Sequence, residues 1–333
     1  MATKLPHLKL SQAQIGFINH QTAAGLSDST IRDYRYTLKK LDLFFIQNPS
    51  IGATTRSDLV GFFAWLRNDY VSIPDGVAPR GRIKLAAKSL LNIHTNLSAL
   101  WRWAVNEGYA KENIVRSIER PRVSNPVIVP FSREDIEKLL NAVRVSASWK
   151  TREQTANQLP LANRNRALIM TLLDTGIRAS ELCGIRYGDV NFSNRSIKVF
   201  GKGPGKDPKE RLVRFGKRTQ ESLWRHLAKQ LDTIQNDCYI FTKLGAQDEP
   251  INRNSLGDLL HRLGERTGID NVHPHRFRHT FAITYLRNGG DVFTLQELLG
   301  HESLEMVQRY ARIAQTDVEK AHQKASPVDN WRL

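Results

Sequence analysis

Along most of the first 118 positions, apolar residues recur at three- and four-residue steps, the spacing of a helix face turned toward a core. Ile31, Tyr34, Leu38, Leu41 and Phe45 form one such stripe, which Ser29 or Asp28 can cap by accepting a free backbone N–H. Phe62, Phe63, Trp65 and Leu66 mark a second helix. Leu90, Ile93, Leu97, Leu100, Trp101 and Ala104 mark a third, with Gly108 placed to end it. Between the last two, Ser72 to Arg82 carries Pro74, Gly76, Pro79 and Gly81, which predicts a loop.

The helical pattern then stops. Residues 119–130, ERPRVSNPVIVP, hold three prolines, each lacking a backbone donor and pushing its predecessor toward extended geometry. This stretch predicts a linker, so the expected domains are a helical one over 1–118 and a second over 131–333. In the second, Ser132 with Asp135 three residues on predicts a cap for a helix carrying Ile136, Leu139, Leu140 and Val143. Arg166 to Asp174 predicts an apolar helix that Gly176 can end. Ser196 to Phe200 and Glu210 to Phe215 predict two strands around the Gly/Pro-rich turn GKGPGKDPK, and helices return from Asn252 onward. The expected class is mainly α with a small antiparallel sheet.

Composition narrows the function. A length of 333 residues with 40% hydrophobic and 25% charged positions predicts a folded chain of two domains. Forty-nine Lys and Arg against 33 Asp and Glu leave a formal charge of +16, a field that attracts polyanions and above all nucleic acid. The two cysteines, Cys183 and Cys238, match no zinc spacing and are expected as reduced thiols. The first ten residues lack the apolar core of a signal peptide, and no run approaches the roughly 18–20 apolar residues of a membrane span. The expected location is the cytoplasm, in association with the nucleoid.

Cleaving a phosphodiester without a metal requires cations against the non-bridging oxygens, an in-line nucleophile and an acid for the leaving oxygen. The second domain offers such a set in four motifs. DTGIRASEL places Arg178 just past the Gly176 break with Glu181 three residues on; taken alone, it reads as a surface arginine paired with that glutamate. HPHRFRHTF places His275 and Arg278 at i and i+3 with His279 beside them; His273 and His279 read individually as structural. LLGHESLEMVQRY places His301 after Gly300 and Tyr310 nine residues later; alone, Tyr310 reads as a half-buried aromatic. Lys202 sits on the GKG turn, where the plain reading is a solvated hairpin lysine.

Taken in order, TGxRxxEL, GKG, HxxRHT, LGH and Tyr resemble the tyrosine recombinases, the phage integrases and Xer-type recombinases, over nearly the whole chain. The resemblance implies an N-terminal core-binding domain, a linker and a catalytic domain that together clamp a DNA duplex. It implies that Arg178 and Arg278 hold the scissile phosphate and that Lys202 is the general acid toward the 5′-oxygen. By the same resemblance His275 serves acid–base transfer with the tyrosine, and His301 hydrogen-bonds the phosphate. Tyr310 would form a 3′-phosphotyrosyl link, and Glu181 would support the site. The hairpin GKGPGKDPKER is longer than the family's compact form, which leaves Lys206 as a second candidate for the acid. No metal or cofactor is expected. The expected partners are double-stranded recombination sites and three further copies of the chain, with the tail after Tyr310 docking on a neighbour. A type IB topoisomerase and a non-catalytic DNA-binding protein of the same fold are the competing readings. Integration, excision, transposition and dimer resolution all remain open from sequence.

Overall fold

The computed structural model describes residues 7–71, 84–123, 128–144, 161–201, 209–228, 230, 233–243, 246–300, 304–314, 326, 328 and 331. The chain divides into two compact units, 1–126 and 127–333. The expected loop over 72–82, the hairpin turn at 202–208 and the expected helix over 316–324 lie outside the described residues.

The first unit is helical. It contains α1 (Leu10–Ala23), α2 (Asp28–Phe44), α3 (Arg56–Asn68) and α4 (Ala87–Asn106), followed by a 3-10 turn at Ile114–Ser117. The stripes read from the sequence face one core, where Ile31, Leu38, Leu41, Phe62, Leu66, Leu97, Leu100 and Trp101 are buried together. The cap of α2 is Ser27 rather than Ser29 or Asp28. Ser27 keeps an extended backbone and accepts from the Thr30 N–H, which leaves Asp28 in the first turn, where its charge favours the helix N-terminus. Helix α1 escaped the periodicity because Gln14 lies on its buried face; the amide is satisfied by donating to Asp42 Oδ1 at 2.7 Å. Beyond α4, Gly108 adopts the left-handed conformation expected of a helix stop.

The second unit opens with α5 (Arg133–Ala142), where Ser132 and Asp135 form the expected reciprocal cap. Next come α6 (Ala162–Thr175) and the short α7 (Ala179–Cys183). Strands β1 (Val190–Asn191), β2 (Ser196–Gly201) and β3 (Lys209–Arg214) form an antiparallel sheet in the order β1-β2-β3. The β2–β3 register runs from Ser196 opposite Arg214 to Gly201 opposite Lys209. After α8 (Lys217–Leu227), a second small antiparallel pair joins β4 (Thr242–Lys243) to β5 (Ala246–Pro250). Four helices complete the described chain: α9 (Arg253–Thr267), α10 (Pro274–Arg287), α11 (Val292–Leu299) and α12 (Leu304–Ala314). The sheet is thus three-stranded rather than two-stranded, since the two-residue β1 is too short to show an alternation.

Two apolar clusters organise this unit. The larger takes Leu168 and Leu172 from α6, Ile197, Val199 and Val213 from the sheet, Leu256 and Leu260 from α9 and Phe277 from α10. The smaller gathers Ala282, Ile283 and Leu286 of α10, Leu295 and Leu299 of α11, and Val307, Tyr310 and Ala314 of α12. Gly176 ends α6 at φ +61°, and a Cβ there would stand 2.4 Å from Phe281 Cδ1 on α10. The turn therefore needs glycine twice over, for its backbone and for the approach of α10.

Two glycine substitutions should move stability in opposite directions. Gly176→Ala is expected to cost about 1–3 kcal/mol through positive φ and overpacking. Gly257→Ala, inside α9 with nothing within 4 Å of the added methyl, should gain up to about 1 kcal/mol. Denaturant midpoints of the two variants check both signs.

Candidate active site

The site grows from a short break between helices. Helix α6 stops at Gly176, Ile177 is buried, and Arg178 becomes the N-cap of α7 with an extended backbone. Glu181, three residues on, accepts the Arg178 backbone N–H at 2.7 Å and the Arg178 Nη1 at 2.9 Å. The local pairing read from the sequence is present. A second arginine changes its meaning. Arg211 on β3 places Nη1 and Nη2 each 2.8 Å from the two Glu181 oxygens, a bidentate fork. The Glu181 side chain is 1% exposed and that of Arg211 11%, against 35% for Arg178. The carboxylate is thus the buried hub of two guanidiniums.

The other ends of these arginines are tied to the C-terminus of α11. Arg211 Nε donates to Leu298 O at 2.9 Å, Arg278 Nη2 to Leu299 O at 2.7 Å, and Arg178 Nη2 to Gly300 O at 3.1 Å. Arg278 Nη1 also donates to Gly176 O at 2.7 Å. The last carbonyls of a helix have no partner within it, and here two of them, with that of the C-cap Gly300, are satisfied by guanidiniums. Cations also favour the negative end of the helix dipole. Gly300 sits at φ +61° with Arg211 so close that a Cβ would lie 3.1 Å from its Cδ.

Helix α10 brings the histidines. Pro274 opens it at a position where a missing N–H costs nothing. His275 is exposed one turn before His279, and their rings lie 6.3 Å apart. Arg278 is buried on the same helix. From α12, Tyr310 inserts until it is only 5% exposed, and its hydroxyl lies 2.8 Å from His279 Nδ1.

Electrostatics follow this geometry. Burial alone would raise the Glu181 carboxyl, but the Arg211 hydrogen bonds and charge, with the Arg178 contacts, bring it down to about 2. Burial and then the neighbouring Arg178 lower Arg278 to about 10, which still leaves it charged at neutral pH. Burial, then the charges of His275, His273, Arg309 and Arg278, hold His279 down at about 4. His275 is lowered by loss of solvent and by Arg278 and Arg178. Burial raises the Tyr310 phenol, against the pull of Arg278 and Arg309.

Of the residues singled out in the sequence, Arg178, Glu181, His275, Arg278 and Tyr310 thus come together. Lys202, Lys206 and His301 lie outside the described residues. Two participants were not picked out for such contacts. Arg211 shares a strand face with buried Val213 and Phe215, so alternation along β3 turns it inward, where a charge needs a partner. His279 lies three and four residues before Ala282 and Ile283, on the stripe that meets α12.

The profile of the phage integrase family matches residues 131–317 of this chain. The chain is 35% identical over 286 residues to the tyrosine recombinase XerC of Staphylococcus carnosus, covering 81% of this chain and 88% of that one. To XerC of Oceanobacillus iheyensis it is 31% identical over 253 residues, covering 74% and 77%. In fold it is similar to the Tn1549 transposon integrase solved with a circular intermediate DNA, at TM-score 0.70 and 19% identity over 95% of this chain and 99% of that one.

The carboxylate hub predicts an acid-sensitive fold. Glu181 titrates near 2 when folded and near its ordinary value of about 4.3 when unfolded. Its contribution, on the order of 3 kcal/mol, is complete above about 4.3 and is lost as pH falls toward 2. Glu181→Gln should therefore be less stable than the parent at pH 7 by about 3–5 kcal/mol. The gap should narrow as pH drops through that window, which chemical denaturation at a series of pH values would read.

Proposed function

Because the chain belongs to the phage integrase family, as a tyrosine recombinase of the Xer-like type, we propose that it cuts and rejoins DNA at specific sites through a covalent bond to Tyr310. The observation that carries this is the seating of one buried phenol beside Arg278 and His279, with Arg178 and Arg278 tied to adjacent carbonyls of the same helix end. Phosphorus becoming five-coordinate gains charge on its non-bridging oxygens, and fixed guanidiniums stabilise that charge without reorganising. Arg178 and Arg278 take that role. Glu181 acts through Arg178, holding it against α7.

The Tyr310 oxygen attacks phosphorus as its O–H bond breaks, and the bond from phosphorus to the 5′-oxygen breaks on the opposite side. The leaving oxygen takes a proton from Lys202, or from Lys206 on the same turn, and the His275 imidazole takes up the tyrosine's proton in acid–base transfer. His301 hydrogen-bonds the phosphate. The new 3′-phosphotyrosyl ester keeps the energy of the broken linkage, so a 5′-hydroxyl rejoins the strand by the reverse step with no nucleotide cofactor. The roles of Lys202, His275 and His301 rest on their order in the sequence.

Four copies on two sites make up the proposed working complex, placed in the cytoplasm on the nucleoid. No helix of the described residues is long and apolar enough to cross a membrane. Trp331, 71% exposed, offers the C-terminal tail an apolar anchor for a neighbouring copy. Domain roles follow the same proposal: residues 1–118 grip one face of the duplex, 119–130 connect, and 131–333 carry the chemistry.

Incubating the protein with a library of nicked duplexes of random sequence should trap adducts that survive detergent and disappear on proteolysis. Tyr310→Phe should abolish the adducts while leaving duplex binding within about twofold. An adduct formed by Tyr310→Phe would move the nucleophile elsewhere. Truncation before Ala325 should leave single-site binding intact and reduce assembly on paired sites, read by native gel or sedimentation.

A further inference from the structure

Among the described residues, the imidazole that touches the Tyr310 oxygen is His279, whereas the sequence pattern points to His275 as the tyrosine's partner. Nδ1 of His279 is 2.8 Å from the phenol oxygen, and the two rings stand 5.5 Å apart at 50°. This contact is not a chance meeting of surface groups. Val307, Tyr310 and Ala314 of α12 are buried against Ala282, Ile283 and Leu286 of α10, so apolar packing sets the spacing at which the two polar atoms meet.

The chemistry of the contact is directional. With His279 held near 4, its ring is neutral at physiological pH and one nitrogen carries no hydrogen. The phenol, raised by burial, stays protonated. Tyr310 therefore donates and Nδ1 accepts, which places the ring hydrogen of His279 on Nε2. Burial between the two helices does most to keep the ring neutral, and electrostatic repulsion from His275 and His273, Arg309 of α12 and Arg278 of α10 adds to it. A protonated imidazole has no lone pair to offer, so burial, aided by the neighbouring cations, preserves the acceptor.

A phenol without such an acceptor can rotate its O–H freely and sample several directions of its lone pairs. Attack on phosphorus requires one direction, in line with the leaving oxygen, and misplacement by about 1 Å can cost roughly 100-fold in rate. We propose that His279 is a positioning residue for the nucleophile, fixing the Tyr310 oxygen through Nδ1 at the α10–α12 interface. The inference rests on the reading of Tyr310 as the nucleophile. It adds a residue to that reading and gives the neighbouring imidazoles different roles. His279 sets where the oxygen lies, and His275, one turn away, is left to proton transfer.

Two measurements test it. The first is histidine-ring 15N NMR of the full chain at pH 7. His279 should show an unprotonated Nδ1 accepting a hydrogen bond, with a signal that shifts in Tyr310→Phe. An unshifted signal overturns the contact, and this arm needs no His279 variant to fold. The second is the rate of adduct formation at saturating concentration of a duplex captured by the wild-type protein. His279→Ala should slow it about 10–100-fold with the duplex Kd within twofold. His279→Asn, whose amide oxygen falls near the place of Nδ1, should recover to within about tenfold of wild type, and His279→Gln, one methylene longer, should not. A His279→Ala rate equal to wild type, or equal rates for the Asn and Gln variants, overturns the positioning role and leaves Tyr310 as nucleophile. Failure of the wild-type protein to form any adduct removes the reading of Tyr310 itself, and the role of His279 with it.

Discussion

A single buried carboxylate carries the arrangement. Glu181 accepts two hydrogen bonds from Arg211 and two from Arg178, one of these from the backbone. Removing a charge partner from a buried pair typically costs about 3–5 kcal/mol, because the remaining ion is left without compensation. Here the loss would strand two guanidiniums at once. Elements distant in sequence are joined through this one group: the α6–α7 break, strand β3 and, by way of the arginines, the end of α11. The short helix α7 has only five residues and little cooperativity of its own; the carboxylate bridging explains why Arg178 is nonetheless held in place.

The backbone supplies the second half of the scaffold. The carbonyls of Gly176, Leu298, Leu299 and Gly300 all point at arginines, and both glycines sit in the left-handed region. Main-chain acceptors are useful for this purpose because they cannot titrate. Across the neutral range the guanidiniums therefore keep both their charge and their orientation. Stabilising charge on a reacting phosphate requires cations already fixed in place, and this framework provides them.

Much of the helical framework was legible because its signals are local. The stripe from Ile31 to Phe45, the Ser132–Asp135 cap and the Gly176 stop each lie within a few residues, and each appears where expected. Helix α1 was not legible, since its buried face carries Gln14 and is paired with Asp42 only in three dimensions. Strands β1 and β4 span two residues each, below the length at which alternation means anything. The ordered motifs located Arg178, Arg278 and Tyr310, but local spacing could not say that Glu181 belongs more to Arg211, 30 positions away, than to Arg178. Nor could it choose between adjacent imidazoles. That choice depends on how α12 lies against α10, a fact of packing that no short window contains.

Within the cluster formed by Arg178, Arg211, Arg278 and Glu181, three positive groups share one negative group. The folded chain therefore tolerates self-repulsion here, in addition to that of its surplus of +16 overall. Dissolved ions act on this in opposing ways. They screen the mutual repulsion of the cations and so firm up the free protein, most at the half-exposed Arg178 and least in the interior. The same ions weaken attraction to a polyanion by favouring its own counterion atmosphere. Ionic strength should thus trade the chain's hold on its substrate against its own cohesion.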